Sequence, residues 1–267
     1  MTAGINPAAN AAALTAAIAE AAGEGATMLF SPEMSGLLDR DRSRAQEHIV
    51  AEADNPVLHE VREAAARCGI WVALGSLAVA RGDGRWANRS LLIDSAGEIV
   101  ARYDKIHMFD VTLESGETWR ESSAYAAGER VVTAAAPVGR LGLSVCYDVR
   151  FPALFEELGR SECDVVAVPA AFTVPTGEAH WHLLLRARAV EASAYVVAAA
   201  QVGQHEDGRR TYGHSLVVDP WGEVLLDLGG ERPGIGYASI DPARIARVRA
   251  QLPSLANRRA ISRSDES

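Results

Sequence analysis

The segment Gly142-Leu-Ser-Val-Cys146-Tyr-Asp-Val-Arg-Phe-Pro152 decides the fold of this chain. The apolar run Leu141–Val145 before the cysteine predicts a buried strand. Pro152 then opens a helical pattern over Ala153–Leu158, since proline is favoured in a first helical turn. A strand that passes directly into a helix is typical of an α/β fold, in which functional groups gather beyond the carboxyl ends of the strands. The segment therefore predicts an α/β protein with the Cys146 thiol at a functional edge.

Cys146 suits two different roles. A nucleophilic cysteine requires a fixed backbone, a polar opening and nearby N–H donors for an oxyanion, and the end of a strand offers all three. A structural role is the alternative, because a buried cysteine packs as a small hydrophobic residue. The segment alone does not choose between these roles, so the other strand ends have to be considered.

The composition limits the classes of function. The 267 residues allow one large domain or two small ones. With 26 basic and 35 acidic residues the net charge is −9, which argues against a nucleic-acid partner. The sequence has no apolar run of the roughly 18–20 residues that span a bilayer and no secretory signal, so we expect no membrane partner. Three cysteines, Cys68, Cys146 and Cys163, are too few for a disulfide framework, which predicts a cytoplasmic protein.

Periodicity and turn residues predict an alternation of helices and strands. Helices are expected at Pro7–Ala22, Asp41–Ala53, Pro56–Cys68, from Pro152, at His180–Ala192 and at Asp241–Gln251. Strands are expected at Thr27–Phe30, Ile70–Leu74, Arg89–Asp94, Glu98–Tyr103, Val131–Thr133, Gly139–Val145, Asp164–Pro169, Tyr195–Ala200, Ser215–Asp219, Glu223–Asp227 and Gly236–Ile240. Continuous apolar strands indicate sheets buried on both faces, by helices and by a second sheet. We expect one domain over residues 1–257 and a polar C-terminal tail over 258–267.

Two further strand ends carry reactive side chains. Glu33 follows a predicted strand within Phe30-Ser-Pro-Glu33, and Lys105 follows another within Arg102-Tyr-Asp-Lys105. Each alone could be a surface charge. Because the strand ends of an α/β fold meet at one rim, the carboxylate, the ammonium and the Cys146 thiol are expected to converge.

At this point the chain resembles the nitrilase (carbon–nitrogen hydrolase) superfamily. Pro32-Glu33, Tyr103-Asp-Lys105-Ile-His-Met-Phe-Asp110 and the segment around Cys146 look like the three signature motifs of that family, in the same order. The stretches Pro169–Trp181 and Tyr212–Gly222 are similar to its amidase branch, which includes omega-amidase and deaminated-glutathione amidase. The resemblance covers nearly the whole chain. It implies a four-layer α-β-β-α sandwich of the nitrilase type, a homodimer or higher homo-oligomer, and no cofactor.

The resemblance also implies roles for the matching residues. Glu33 is expected to be the general base, and Cys146 the nucleophile that forms a thioester with an amide substrate. Lys105 and the backbone N–H of Tyr147 are expected to hold the oxyanion. The products are then ammonia and a carboxylic acid, from an omega-amide or a substrate like deaminated glutathione. The physics agrees, because a thiol with a pKa near 8.5 needs a base to lose its proton at neutral pH.

Other site residues are assigned less directly. Many family members have a second glutamate near the cysteine; Glu121 is the best match, with Glu114 and Glu117 as rivals, and its expected catalytic role is to position the substrate amide or to assist proton transfer. The expected substrate-binding residues are Tyr147, Arg150, Thr173 and Glu178, in segments that would border the pocket. Arg150 could bind a substrate carboxylate or pair with an acid of the protein. His107 and His214 are expected to be structural hydrogen-bonding residues.

Three other functions compete with amide hydrolysis. A metal hydrolase is disfavoured, because His180 and His182 at i and i+2 do not share a helical face and the sequence has no H-E-x-x-H motif. Nitrile hydrolysis fits the stretch Phe172–Trp181 less well than amide hydrolysis. The chain also lacks the apolar first strand with which family members normally begin, so a catalytically silent binding protein is an alternative. Retention of Glu33, Lys105 and Cys146 favours the enzyme.

Overall fold

The structure is a computed structural model that describes residues 1–112, 114, 116 and 118–261. Its α-helices are α1 (Pro7–Gly23), α2 (Arg42–Gln46), α3 (Pro56–Cys68), α4 (Pro152–Arg160), α5 (Val174–Ala192) and α6 (Pro242–Gln251). Short 3-10 helices cover Glu52–Asp54, Glu121–Ser123 and Cys146–Arg150. Within the described residues, no helix is both long and apolar enough to cross a membrane.

The strands form two main sheets. The first has the order β1-β2-β3-β4, with β1 parallel to β2 and the other pairs antiparallel. The second has the order β14-β13-β10-β9-β8-β7, with parallel pairs at its centre. The hairpins β5–β6 and β11–β12 stand apart. The strands are β1 (Met28–Phe30), β2 (Trp71–Ala80), β3 (Trp86–Ile93), β4 (Ile99–Asp104), β5 (Asp110–Thr112), β6 (Thr118–Arg120), β7 (Thr133–Ala136), β8 (Gly139–Leu143), β9 (Val165–Ala167), β10 (Tyr195–Ala198), β11 (Val202–Gln204), β12 (Arg210–Tyr212), β13 (Leu216–Val218) and β14 (Val224–Asp227).

The apolar cores show the layering. One core joins α1 and α3 to the first sheet through residues such as Ile18 and Val61. A second core joins α4 and α5 to the second sheet and also contains Leu92 of the first sheet, so the two sheets face each other. The resulting order is α-β-β-α, and it confirms the predicted fold class.

Helix starts follow the sequence signals. The Asn6 side chain accepts hydrogen bonds from the N–H groups of Ala8 and Ala9, and Pro7 occupies the first turn of α1. Asn55 caps α3 by accepting from the Leu58 N–H. Capping side chains satisfy N–H groups that have no partner inside a helix, which is why these starts could be read from the sequence.

Two helix predictions were wrong in their bounds. The stretch Asp41–Ala53 forms only the short α2 and a 3-10 turn instead of one helix, since Asp41 caps α2 and the chain turns again before α3. The helix expected from His180 begins at Val174, because Pro175 in its first turn is compatible with a helix start.

The predicted strand Gly236–Ile240 is not a strand in the structure. Residues 236–240 line a cavity of about 1070 Å³ together with Met28–Phe30 of β1. Extended chain becomes a strand only when a neighbour completes its hydrogen-bond ladder. Within the described residues, β1 is paired on its β2 side only.

Residues near both ends of the chain form hydrogen bonds with other parts of the fold. The Met1 carbonyl accepts a hydrogen bond from Val202 N at 3.0 Å, which places the N-terminus beside β11. In the predicted tail, Arg258 donates to the Glu156 carbonyl of α4 at 2.8 Å. Residues 262–267 of that tail lie outside the described residues.

Candidate active site

Three strand ends bring the predicted reactive groups into one cavity. Glu33 follows β1, Lys105 follows β4, and Cys146 begins the 3-10 helix after β8. All three are buried, with exposed fractions of 5%, 2% and 8%. They line a cavity of about 380 Å³. The structure therefore brings together the carboxylate, ammonium and thiol that the sequence placed at separate strand ends.

Lys105 binds two carboxylates. Its Nζ lies 2.9 Å from Glu33 Oε1 and 2.9 Å from Glu121 Oε2. Burial lowers the pKa of a lysine, but the charges of Glu121 and Glu33 outweigh that effect and hold the pKa of Lys105 well above 10.5. Lys105 is also the only lysine in the sequence, since the other 25 of the 26 basic residues are arginines. The site therefore contains a buried ammonium group that stays charged at neutral pH.

The Glu33 carboxylate is held from several sides. Its Oε1 accepts from Lys105 Nζ and from Asn88 Nδ2, both at 2.9 Å, and its Oε2 accepts from the Ala171 N–H at 2.9 Å. Burial raises the pKa of Glu33, yet the Lys105 charge and hydrogen bonds from Cys146, Lys105 and Asn88 bring that pKa below 4.5. Glu33 is therefore an ionised base at neutral pH.

Cys146 occupies an unusual backbone position. Its φ of 49° lies in the left-handed region, and its N–H donates to the Pro169 carbonyl at 2.8 Å. A non-glycine residue there carries strain that the surrounding structure must impose. Burial and the Glu33 charge raise the pKa of the Cys146 thiol well above 9.0, although the Lys105 ammonium opposes this. The resting thiol is therefore protonated, beside an ionised carboxylate that can take its proton.

Glu121 is the second glutamate that the structure brings to the cysteine and lysine. Its Oε1 accepts from Asn88 Nδ2 at 3.1 Å, and its Oε2 accepts from the Phe109 N–H at 2.7 Å. The rival Glu114 is exposed. The other rival, Glu117, lies outside the described residues.

Two site residues were missed in the sequence. Asn88 interrupts the apolar β3 and bridges Glu33 and Glu121. Asp148 is fully buried and accepts from Tyr103 Oη at 2.7 Å and from Val145 N at 2.9 Å. The available signals were a polar residue inside an apolar strand and an acid two residues after the cysteine. Both residues fix the backbone or side chains around the thiol.

The proposed substrate-binding residues divide into two groups. Tyr147 and Thr173 line the cavity. Arg150 and Glu178 do not: Glu178 is exposed on α5, and the Arg150 guanidinium lies over the Phe172 ring at 5.2 Å and contacts His180 Nδ1 at 3.3 Å. Among the described residues, Arg150 forms no ion pair with an acid. The expectation that His107 is structural fits its 2.7 Å contact with Asp148.

The mouth of the cavity is cationic although the chain carries a net negative charge. Five arginines line it, together with Asp39; they are Arg40, Arg42, Arg120, Arg209 and Arg210. Arg209 is fixed by an ion pair with Asp207 at 2.7 Å, and its guanidinium lies 5.2 Å from the centre of the Trp119 ring. Guanidinium groups bind carboxylates bidentately, so this rim suits an acidic ligand.

Known proteins are similar to this chain in sequence and in architecture. The carbon–nitrogen hydrolase family profile matches residues 4–250. Deaminated glutathione amidase from Yersinia enterocolitica is 43% identical over 244 residues, covering 89% of this chain and 84% of that protein. The NitFhit protein of C. elegans has a TM-score of 0.87 and 35% identity, over 97% of this chain and 63% of that longer chain.

A third relative shows a reactive cysteine in its active site. The amidase from Nesterenkonia sp. AN1 superposes with a TM-score of 0.77 and 28% identity, over 95% of each chain. In that structure, which is of a mutant, acrylamide has been added to the active-site cysteine. The family profile spans most of the present sequence, and the fold agrees with that of the solved relatives. The chain therefore belongs to the carbon–nitrogen hydrolase family.

Proposed function

We propose that this protein hydrolyses the carbon–nitrogen bond of a small, non-peptide amide through a thioester on Cys146. The observation that carries the proposal is the buried contact of Lys105 with Glu33 beside a protonated thiol. Membership of the carbon–nitrogen hydrolase family and similarity to proteins named as amidases favour this activity over metal catalysis or a catalytically silent scaffold.

Attack on the substrate begins with a proton transfer. The Cys146 thiol passes its proton to the Glu33 carboxylate as its sulfur bonds to the amide carbon. Negative charge develops on the carbonyl oxygen, where the Lys105 ammonium and the Tyr147 N–H stabilise it. When the carbon–nitrogen bond breaks, Glu33 returns the proton to the departing nitrogen, which leaves as ammonia or an amine.

Water completes the cycle. The regenerated Glu33 carboxylate takes a proton from a water molecule, whose oxygen attacks the thioester carbon. The carbon–sulfur bond then breaks, the acid is released, and the thiolate recovers the proton from Glu33. Glu121 contacts Lys105, and Asn88 contacts both Glu33 and Glu121, so we assign to Glu121 and Asn88 the positioning of Lys105 and Glu33.

We further propose that the substrate carries a carboxylate, as an omega-amide of an α-keto acid or deaminated glutathione does. The five arginines that line the cavity support this, and Arg209 is held in place by its ion pair with Asp207 and its contact with the Trp119 ring. Thr173 is proposed to contact the substrate inside the cavity. Arg150 and Glu178 do not line the cavity, so their role in substrate binding stays a prediction that requires contacts outside it.

The test is product formation from paired amides that differ only in a terminal carboxylate. Wild-type protein should release acid and amine faster from the acidic amide, and Cys146→Ala should release neither from any amide. In a Glu33→Gln variant, turnover should be lost and intact mass spectrometry should detect no acyl adduct on Cys146, since the base that takes the thiol proton is gone. Turnover by the Cys146→Ala variant would overturn the thioester route; equal rates for both amides would overturn only the acidic substrate.

We propose a cytoplasmic homodimer. Exposed apolar side chains lie together on α5 and the β13–β14 hairpin, where Arg186 donates to the Gly222 carbonyl at 2.7 Å. Leu183, at 67% exposure, is the most exposed of those on α5. Burial of such a patch stabilises association. Light scattering after size exclusion should give a dimer for the wild type and a monomer for Leu183→Glu; a monomeric wild type would contradict the proposal.

A further inference from the structure

Three metal-ligating side chains meet on the surface of the second sheet, away from the cavity. His182 lies on α5, His214 follows β12, and Asp227 ends β14. One ligand atom from each lies within 4.8 Å of the other two. None of the three lines the catalytic cavity. The sequence had paired His182 with His180, which cannot share a helical face, whereas the fold pairs it with His214 and Asp227.

The distances suit a small cation. His182 Nε2 lies 3.0 Å from Asp227 Oδ2, and His214 Nδ1 lies 2.9 Å from Asp227 Oδ1. Two ligands of a tetrahedral zinc ion with bonds of about 2.0–2.1 Å are separated by about 3.3 Å. Small side-chain rotations would therefore be enough to place all three donors around one ion.

The donors are held by their surroundings. The His214 carbonyl accepts from Trp181 Nε1 at 2.8 Å, and the His214 ring stacks on Tyr212 with 4.4 Å between ring centres. The Gly229 N–H donates to Asp227 Oδ1 at 2.8 Å. A hydrogen bond to a ligating carboxylate, such as that from Gly229, orients metal ligands in known sites. The cluster is partly exposed, so an ion can reach it from solvent.

We propose that His182, His214 and Asp227 form a structural zinc site. The carboxylate and two neutral imidazoles supply three lone pairs, and the ion replaces the protons now shared between the rings and Asp227. Glu178 lies four residues before His182 and so on the same helical face, which makes it our candidate for the fourth ligand. A bound ion would tie the middle of α5 to the end of β14.

Zinc can also bind a catalytic thiol, so the test uses Cys146→Ala protein. After dialysis against a chelator, this protein is titrated with zinc chloride in competition with a chromogenic chelator, and its melting temperature is measured with and without zinc. The same measurements are made after adding His182→Gln or Asp227→Asn. His180→Gln is the matched control, because His180 lies on the same helix but not in the cluster.

The expected result is one zinc ion per chain and a higher melting temperature with zinc, both retained in the His180→Gln control. Both should be lost in His182→Gln and Asp227→Asn, while melting of these variants without zinc shows that they are folded. Cobalt should give the intense visible absorption of a tetrahedral site only in proteins with the intact cluster. Failure of the Cys146→Ala protein to take up zinc, or unchanged uptake after His182→Gln, would overturn the site and reduce the trio to a hydrogen-bonded cluster. Neither result bears on amide hydrolysis.

Discussion

Replacing Glu121 by glutamine should lower the pKa of Lys105 while leaving its neighbour Glu33 in place. The distance between Lys105 Nζ and Glu121 Oε2 is 2.9 Å. At an effective dielectric constant of about 20, two unit charges at this distance attract by about 5–6 kcal/mol. That energy is an upper limit, since the desolvation of both charges offsets part of it. We therefore expect the Lys105 pKa to fall in Glu121→Gln, because one of the two carboxylate charges that raise it is removed.

The single lysine makes this measurement direct. Protein labelled with nitrogen-15 only in lysine has one side-chain ammonium signal, that of Lys105. In the wild type this signal should not titrate at any pH at which the protein stays folded, because the pKa lies well above 10.5. In the double variant Glu33→Gln with Glu121→Gln, burial is no longer opposed and the signal should titrate below 10.5.

Glu114→Gln is the matched control, since this exposed rival glutamate makes no contact with Lys105 in the structure and should leave the signal unchanged. A Lys105 signal that titrates equally in the wild type and in the double variant would refute the account in which Glu33 and Glu121 together hold the ammonium charged. A shift in Glu114→Gln would refute the choice of Glu121 as the second glutamate.

Three further predictions concern activity and stability. Lys105→Met should lower kcat by about 10²–10³, the effect of one lost oxyanion donor, and initial rates of amide hydrolysis with a melting control will show it. The acid limb of kcat/KM should lie below pH 4.5 in the wild type, because the lowered pKa keeps Glu33 ionised above that value. It should move to higher pH in Lys105→Met, because the charge that opposes burial is removed and only hydrogen bonds such as that from Asn88 remain; an unmoved limb would contradict this. Tyr103→Phe should lower the free energy of unfolding by about 1–3 kcal/mol in urea titrations, because the buried Asp148 loses a donor, whereas the exposed Tyr237→Phe should have no effect.

Local sequence signals were sufficient for many elements. Asn6 and Asn55 cap helices with their own side chains, and the hairpin of β3 and β4 follows from its turn residues. These signals work because their energies depend on residues close in the chain. The strand ends that carry Glu33, Lys105 and Cys146 could be read in the same way, and the rule that strand ends share a rim placed them together.

Other features depend on contacts between distant parts of the chain. Residues 236–240 have the apolar pattern of a strand, but a strand also requires a ladder partner, which local pattern does not specify. The choice of Glu121 over Glu114 rests on the 3-10 turn that aims its carboxylate at Lys105. Likewise His214 and Asp227 meet His182 only because β13 and β14 pack beside α5.

Residue types and their order were thus enough to predict the fold class and to place the thiol, carboxylate and ammonium at one rim of the fold. Their protonation states were set only in the folded protein, where burial raises the pKa of Cys146 and two carboxylates hold Lys105 charged. The physical reason is that desolvation and Coulomb energies depend on distances in space, and residues 33, 105, 121 and 146 come within contact only after both sheets have formed.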